Sequence, residues 1–163
     1  MKIPLTINGT KKILTSEPDE KLLNVLRKEK LYSVKCGCEE GICGNCTVLL
    51  DGKPVPSCIL SIGLLRDSKI ITLEYLKTLP EYQDIMTGFS QAKINLCSYC
   101  NAGKIFIAYQ IIKGKKRPSL EQINYAIKDL NSCCTDTTAL TNGILHAWAI
   151  KTNREGKKQN VTK

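Results

Sequence analysis

The chain has 163 residues, 42% of them hydrophobic, and a formal net charge of +9, enough chain to bury a core in one domain or two small ones. No apolar run approaches the ~18 residues of a membrane span, and the start, MKIPLTINGTKKILT, lacks the basic head and long apolar stretch of an export signal, so no membrane association and a cytoplasmic location are expected. The positive charge is concentrated: Lys113, Lys115, Lys116 and Arg117 crowd one connecting segment, and residues 151–163 hold five basic residues against Glu155. With no basic face interleaved with aromatics, this argues against nucleic-acid binding and predicts a solvated loop and a disordered tail.

In chain order, Lys2–Ile7 and Lys12–Thr15 read as strands joined at Asn8-Gly9, a strong hairpin signal. A helix is expected from Asp19 to about Glu29, with Leu22, Leu23, Val25 and Leu26 as its apolar side. After a cysteine-rich loop come a strand Thr47–Leu50, a turn at Asp51-Gly52, a short return towards Cys58 and a β-rich run Ile70–Leu73. This order suggests a β-grasp sheet crossed by its helix. The second half is helical: Tyr82, Ile85, Met86 and Phe89 recur at helical spacing, and Ile105–Ile112 is a nearly continuous apolar run ending at Gly114. Ser119-x-x-Gln122 after Pro118 reads as a capping box opening a helix with Leu120, Ile123, Ile127 and Leu130 on one face. Leu140, Ile144 and Trp148 mark a last helix, despite Gly143 within it. A boundary is expected near Lys77 to Glu81, where Pro80 breaks the chain. The reading is therefore α+β, with an N-terminal β-grasp ferredoxin-like domain (1–78), a C-terminal all-α bundle (79–150) and the basic tail (151–163).

Nine cysteines carry the chemistry. Cys38-x4-Cys43-x2-Cys46-x11-Cys58 sits among Gly37, Gly41, Gly44 and Gly52, and C-x4-C-x2-C with a later fourth cysteine is the ligand spacing of a plant-type [2Fe–2S] cluster. Two bridged irons need two thiolates each, so the backbone must curl around them, and glycine supplies the positive φ such a curl requires. Structural zinc is the plain alternative, although zinc sites usually join two short cysteine pairs through a longer spacer. A disulfide framework is disfavoured in a chain of this length with no export signal. Cys97-x2-Cys100, followed about thirty residues later by Cys133-Cys134, fits zinc, redox or cluster ligation, and its placement at helix ends points to a second metal site. Catalytic groups are absent from the pattern: His146 is the only histidine, read as a surface or interhelical residue, and no paired carboxylates or Ser–His–Asp set is visible.

Val34-Lys35-Cys36-Gly37-Cys38-Glu39-Glu40-Gly41-Ile42-Cys43-Gly44-Asn45-Cys46-Thr47-Val48, continued by Asp51-Gly52-Lys53-Pro54-Val55 and Ser57-Cys58, resembles the first-cluster signature of the xanthine dehydrogenase and molybdenum hydroxylase family. The resemblance runs to about Trp148 and is to the small subunit that carries two [2Fe–2S] clusters. It implies that Cys38 and Cys43 bind one iron and Cys46 and Cys58 the other, with Cys36 a spare thiol. It also matches Cys97 and Cys100 to a Cys-Gly-aromatic-Cys pair, with Ser98 replacing glycine and Asn101-Ala102-Gly103 where Thr-Pro-Gly is usual. The family's Asn-Leu-Cys-Arg-Cys-Thr aligns Cys134-Thr135 with its end, which puts Ser132 at a ligand position and Cys133 at the arginine. The fourth ligand of the second cluster is then Cys133, Ser132 as an alkoxide, or missing; Cys133 is favoured because thiolate suits iron–sulfur chemistry. Leu96 stands where a glutamine contacts the pterin of the molybdenum cofactor.

By this resemblance the chain is an electron-transfer subunit, with the molybdenum cofactor on a large partner subunit and FAD on a medium one. No bond chemistry is expected on the chain itself. A free-standing ferredoxin-like carrier, a diverged subunit with only the first cluster, or a zinc-binding scaffold are the alternative readings.

Overall fold

A computed structural model describes residues 1–130 and 133–161, with side chains to 157. The N-terminal half is built on two tight hairpins. β1 (Lys2–Ile7) and β2 (Thr10–Thr15) are joined by Asn8 and Gly9 at φ 51° and 81°, and β3 (Thr47–Leu50) and β4 (Lys53–Pro56) by Asp51 and Gly52 at φ 49° and 84°. Positive φ at both central residues matches the right-handed strand twist, which is why these two dipeptides specify register so firmly. β5 (Lys69–Ile71) runs parallel to β1 and antiparallel to β3, closing a mixed five-stranded sheet of order β2-β1-β5-β3-β4.

Helix α1 (Leu22–Lys28) is shorter than the expected Asp19–Glu29. Its N-terminal turn is diverted, since Glu20 N–H bonds Glu17 O and Lys21 stays extended to bridge Ser61. Its buried Leu22, Leu23, Val25 and Leu26 pack with Ile3, Leu5, Ile7, Val48, Ile62 and Ile70, and Cys46 and Cys58 belong to the same core. The expected strand Ile70–Leu73 ends early and turns into a short helix α2 (Leu73–Leu76). Thr72 makes the change: its N–H donates to Asn8 Oδ1 (2.9 Å) and its hydroxyl to Glu74 Oε2 (2.6 Å), so the chain leaves the sheet there.

The helices α3 (Pro80–Gln91), α4 (Asn101–Ile112), α5 (Leu120–Ile127) and α6 (Thr137–Val161) enclose a second core of Ile85, Phe89, Ile105, Phe106, Ile112, Ile123, Ile127, Leu140 and Ile144. Leu49 of β3 is buried in it too, so sheet and helices share an apolar seam. Pro80 occupies the first turn of α3, where its missing N–H costs nothing, and so opens that helix. The expected α5 face is corrected at one end, for Leu120 is 58% exposed while Ile123 and Ile127 are buried. The capping box is formed in full: Gln122 N–H donates to Ser119 Oγ (3.2 Å) and Ser119 N–H to Gln122 Oε1 (3.0 Å).

Helices α3 and α6 approach through glycines. A Cβ on Gly88 would lie 2.4 Å from Ala147 N, and one on Gly143 would lie 2.8 Å from Phe89 and Ile94 side chains. The basic tail predicted to be disordered is instead helical as far as Val161, and residues 162–163 lie outside the described residues. Arg154 Nε and Nη2 donate to the buried Asp84 of α3 at 3.0 and 2.7 Å, which anchors that last stretch. No helix among the described residues is long and apolar enough to cross a membrane.

Candidate metal centres

The loop between α1 and β3 is shaped to surround sulfur. Gly41 and Gly44 both adopt φ +78°, and a Cβ on Gly37 would come within 2.5 Å of Asn45 Nδ2 and 2.6 Å of Cys43 Sγ. Three main-chain N–H groups, from Glu40, Ile42 and Cys43, converge on Cys38 Sγ at 3.4, 3.3 and 3.3 Å. Cys38 N–H points in turn at Cys43 Sγ (3.5 Å). The amides of Cys43, Glu40 and Ile42 favour a negative sulfur and hold the Cys38 thiol down to about 6. Cys46 and Cys58 are buried, and burial, then Cys46 beside it, pushes the Cys58 thiol up to about 12. The two are held together from below, as Ser57 donates both its hydroxyl (2.8 Å) and its N–H (3.2 Å) to Cys46 O.

Such a set fits a cationic metal cluster. Buried thiols ionise only against a counter-charge, which bound iron supplies. The side-chain amide of Asn45 is fully buried, and among the described residues neither its N–H nor its carbonyl has a partner. A buried orphan donor costs about 1–3 kcal/mol, and a sulfur acceptor held by the loop would relieve it. Cys36 lies outside the set: it is exposed and bonded to Glu39 Oε1 (3.0 Å), whose carboxylate raises its thiol.

The second group meets where α4 begins and the α5–α6 connection ends. The Sγ atoms of Cys97, Cys100, Cys133 and Cys134 all lie within 4.8 Å of one another. Cys100 Sγ is 3.7 Å from that of Cys97, 2.8 Å from Cys133 and 4.0 Å from Cys134. Main-chain N–H groups of Cys100 and Tyr99 hold Cys97 down to about 6, whereas burial and then Cys133 push Cys100 up to about 12. Cys133, aligned by sequence with an arginine, is therefore brought into the thiol group; Ser132 lies outside the described residues. Leu96 packs against the helical core, and His146 is exposed on α6, as the sequence suggests.

Three features escape sequence reasoning. Lys104 is 2% exposed, with Nζ 3.1 Å from Cys100 Sγ and 3.7 Å from Cys134 Sγ. Burial works to lower its pKa, but the Cys100 sulfur and its neighbours outweigh that and hold the ammonium above its ordinary value. The signal was a single charge inside the apolar run Ala102–Ile112. Asn45, the second feature, looked like an ordinary loop polar residue. The third is the meeting of the two groups: Gly103 N–H donates to Gly44 O at 3.1 Å, and a Cβ on Gly103 would lie 3.3 Å from Gly44 Cα. Gly44 follows Cys43, and Gly103 is one helical turn after Cys100, so one main-chain bond links the two thiol sets.

Comparison with known proteins agrees with this chemistry. Residues 7–93 match the family of 2Fe–2S iron–sulfur cluster binding domains, a span that contains the first cysteine group. The small FeS subunit of nicotinate dehydrogenase from Eubacterium barkeri is 36% identical over 82% of this chain and 85% of its own. The xanthine dehydrogenase iron-sulfur-binding subunit of Escherichia coli is 29% identical over 88% of this chain and 91% of its own. Among solved structures, quinoline 2-oxidoreductase from Pseudomonas putida superposes with a TM-score of 0.81 at 29% identity, covering 96% of this chain and 97% of that one. A thiol-rich chain with a mixed sheet, six α-helices among its described residues and these relatives belongs to the 2Fe–2S cluster binding family, as an electron-transfer iron–sulfur small subunit of the xanthine dehydrogenase and molybdenum hydroxylase type.

Proposed function

We propose that Cys38, Cys43, Cys46 and Cys58 hold one [2Fe–2S] cluster, that Cys97, Cys100, Cys133 and Cys134 hold a second, and that the chain relays single electrons between partner subunits. When bound, each cluster takes up and releases one electron at a time. The chain's own residues do the rest. The amides around Cys38 stabilise negative sulfur, Cys46 and Cys58 keep water from their side of the site, and the Gly44–Gly103 bond holds the two sets at a fixed separation. In this reading residues 1–78 form a β-grasp ferredoxin-like domain and residues 79–150 a helical domain, in that order. The helical set faces a large subunit with the molybdenum cofactor, and the β-grasp set faces an FAD-binding subunit, all in the cytoplasm. The complex hydroxylates an aza-heterocycle or aldehyde, in keeping with relatives named for nicotinate, xanthine and quinoline. With Leu96 in place of glutamine, the pterin is held by groups of the large subunit.

The observation that carries the reading is the convergence of four Sγ atoms within 4.8 Å, one hydrogen bond away from the first cysteine loop. Anaerobic iron and acid-labile sulfide counts on the purified complex, with EPR of the reduced form, test it. About four irons per chain and two distinct signals are expected. About two irons and one signal would remove the second cluster, and zinc without sulfide would remove both.

A further inference from the structure

The buried Lys104 is a charge that electron relay, as argued above, does not require. It sits on the first turns of α4, in a helix whose neighbouring residues Ala102, Ile105, Phe106 and Ala108 are all buried and apolar. Its side chain is 2% exposed, and among the described residues its hydrogen-bond partners are sulfurs, Cys100 at 3.1 Å and Cys134 at 3.7 Å. The carboxylate lining the small cavity beside it, Asp136, accepts from Ala139 N–H at 2.7 Å. An ammonium taken out of water in this way needs negative charge close by. Among the described residues, the sulfurs of Cys100 and Cys134 are the groups placed to provide it. Both cysteine sets have main-chain N–H groups directed at sulfur, at Cys38 and Cys43 in the first and at Cys97 in the second, and the buried ammonium lies beside the second.

The geometry points to Lys104 as the residue that sets the reduction potential of the helical cluster, raising it above the value the cysteine ligands alone would give. This rests on the reading that Cys97, Cys100, Cys133 and Cys134 hold a cluster. Reduction adds one electron, and so one negative charge, to a site already rich in thiolate, while no bond breaks and no proton is needed. A fixed ammonium 3.1 Å from one ligand sulfur stabilises the more negative, reduced state more than the oxidised one. Hydrogen bonding to sulfur and net charge near the cluster are established levers on iron–sulfur potentials, and Lys104 applies both. The consequence is directional: the helical cluster becomes a better electron acceptor than its cysteine ligands alone would make it.

The test is EPR-monitored redox titration of the assembled complex, wild type against Lys104→Met, which keeps length and apolar packing without charge, and Lys104→Arg, which keeps the charge. Lys104→Met should lower the midpoint of one signal by a tenfold or greater change in the reduction equilibrium, about 59 mV for one electron. The other signal should stay in place, and Lys104→Arg should recover most of the shift. Should Lys104→Met assemble without its second cluster, Lys104→Gln keeps a neutral donor and removes the charge, and must show a shift in the same direction. Unmoved midpoints in a neutral variant that retains both signals overturn the role of Lys104 alone. Loss of the second cluster from all three variants makes the lysine an assembly residue and likewise overturns it. A wild type with one signal and about two irons overturns the cluster assignment itself.

Discussion

Cys133 is the residue on which the second centre turns. Aligned by pattern it falls on an arginine, yet its sulfur is 2.8 Å from that of Cys100. Cys133→Ser should abolish one EPR signal and leave the other; two unaltered signals would reject it as a ligand. Asn45 makes a related prediction. Replacing its orphaned amide by the near-isosteric Leu removes a donor that bound sulfur would satisfy, so in Asn45→Leu the β-loop cluster should shift to a lower midpoint while the helical cluster is unmoved. Redox titration of the two signals checks it. Glu74 makes a pH prediction. Burial would raise its pKa, but Ser33, Thr72 and the Ser33 N–H (2.7 Å) bond the carboxylate and hold it below the ordinary glutamate value. A depressed folded value contributes stability above the ordinary pKa that is lost as pH falls through the lower one. Glu74→Gln should therefore be less stable than wild type near neutrality and flatten the acid limb of a Tm-versus-pH curve. Equal acid slopes would show that Glu74 contributes nothing to it.

At the scale of elements, turns, helix faces and the capped start of α5 were legible, and the ends of α1 and β5 were not. Asn8-Gly9 and Asp51-Gly52 place both hairpins because few dipeptides accept two positive φ values. The capping box located the start of α5 for a similar reason, since its two hydrogen bonds are local. The Ile70–Leu73 run failed because a strand of three residues and a helix of four have no period to distinguish them; Thr72 and Asn8, distant in sequence, decide the exit from the sheet. Leu120 failed because it sits at the open end of its face. Gly143, which looked like a weakness in α6, is required by Phe89 and Ile94, as Gly88 is by Ala147. Gly88→Val should overpack the α3–α6 contact against main chain that cannot yield, costing about 1–3 kcal/mol or more. Thermal melting should fall by about 2–4 °C for each kcal/mol lost. An unchanged melt would mean that the two helices do not approach as described.

Across the whole molecule, two long-range pairings organise the chain. Arg154 reaches back to the buried Asp84 and turns a segment of disordered composition into the last turns of a packed helix. Composition predicted disorder because it counts charges without knowing that one of them meets a buried acid. Arg154→Ala leaves Asp84 buried without its charged donors, with an expected loss of about 1.5–3 kcal/mol in denaturant unfolding. The other pairing, Gly103 to Gly44, joins the helices to the cysteine loop. A side chain on Gly103 larger than methyl has no room against Gly44, so Gly103→Val should push the two centres apart. Rapid-freeze EPR should then show slower electron exchange between two otherwise intact signals.

What the sequence by itself determined is local: the spacing that wraps thiolates around a cluster, the glycines that let the chain curl, the hairpin turns and the apolar periods of the helices. These depend on a few neighbouring residues and on backbone sterics, so one chain suffices to read them. The sequence favoured Cys133 as the companion of Cys97, Cys100 and Cys134, and tertiary structure brings its sulfur among theirs; tertiary structure alone decided that a lysine is buried against them and that a main-chain bond connects the two sets. Those are contacts between segments far apart in the chain, set by how sheet and helices pack, and no local pattern encodes them.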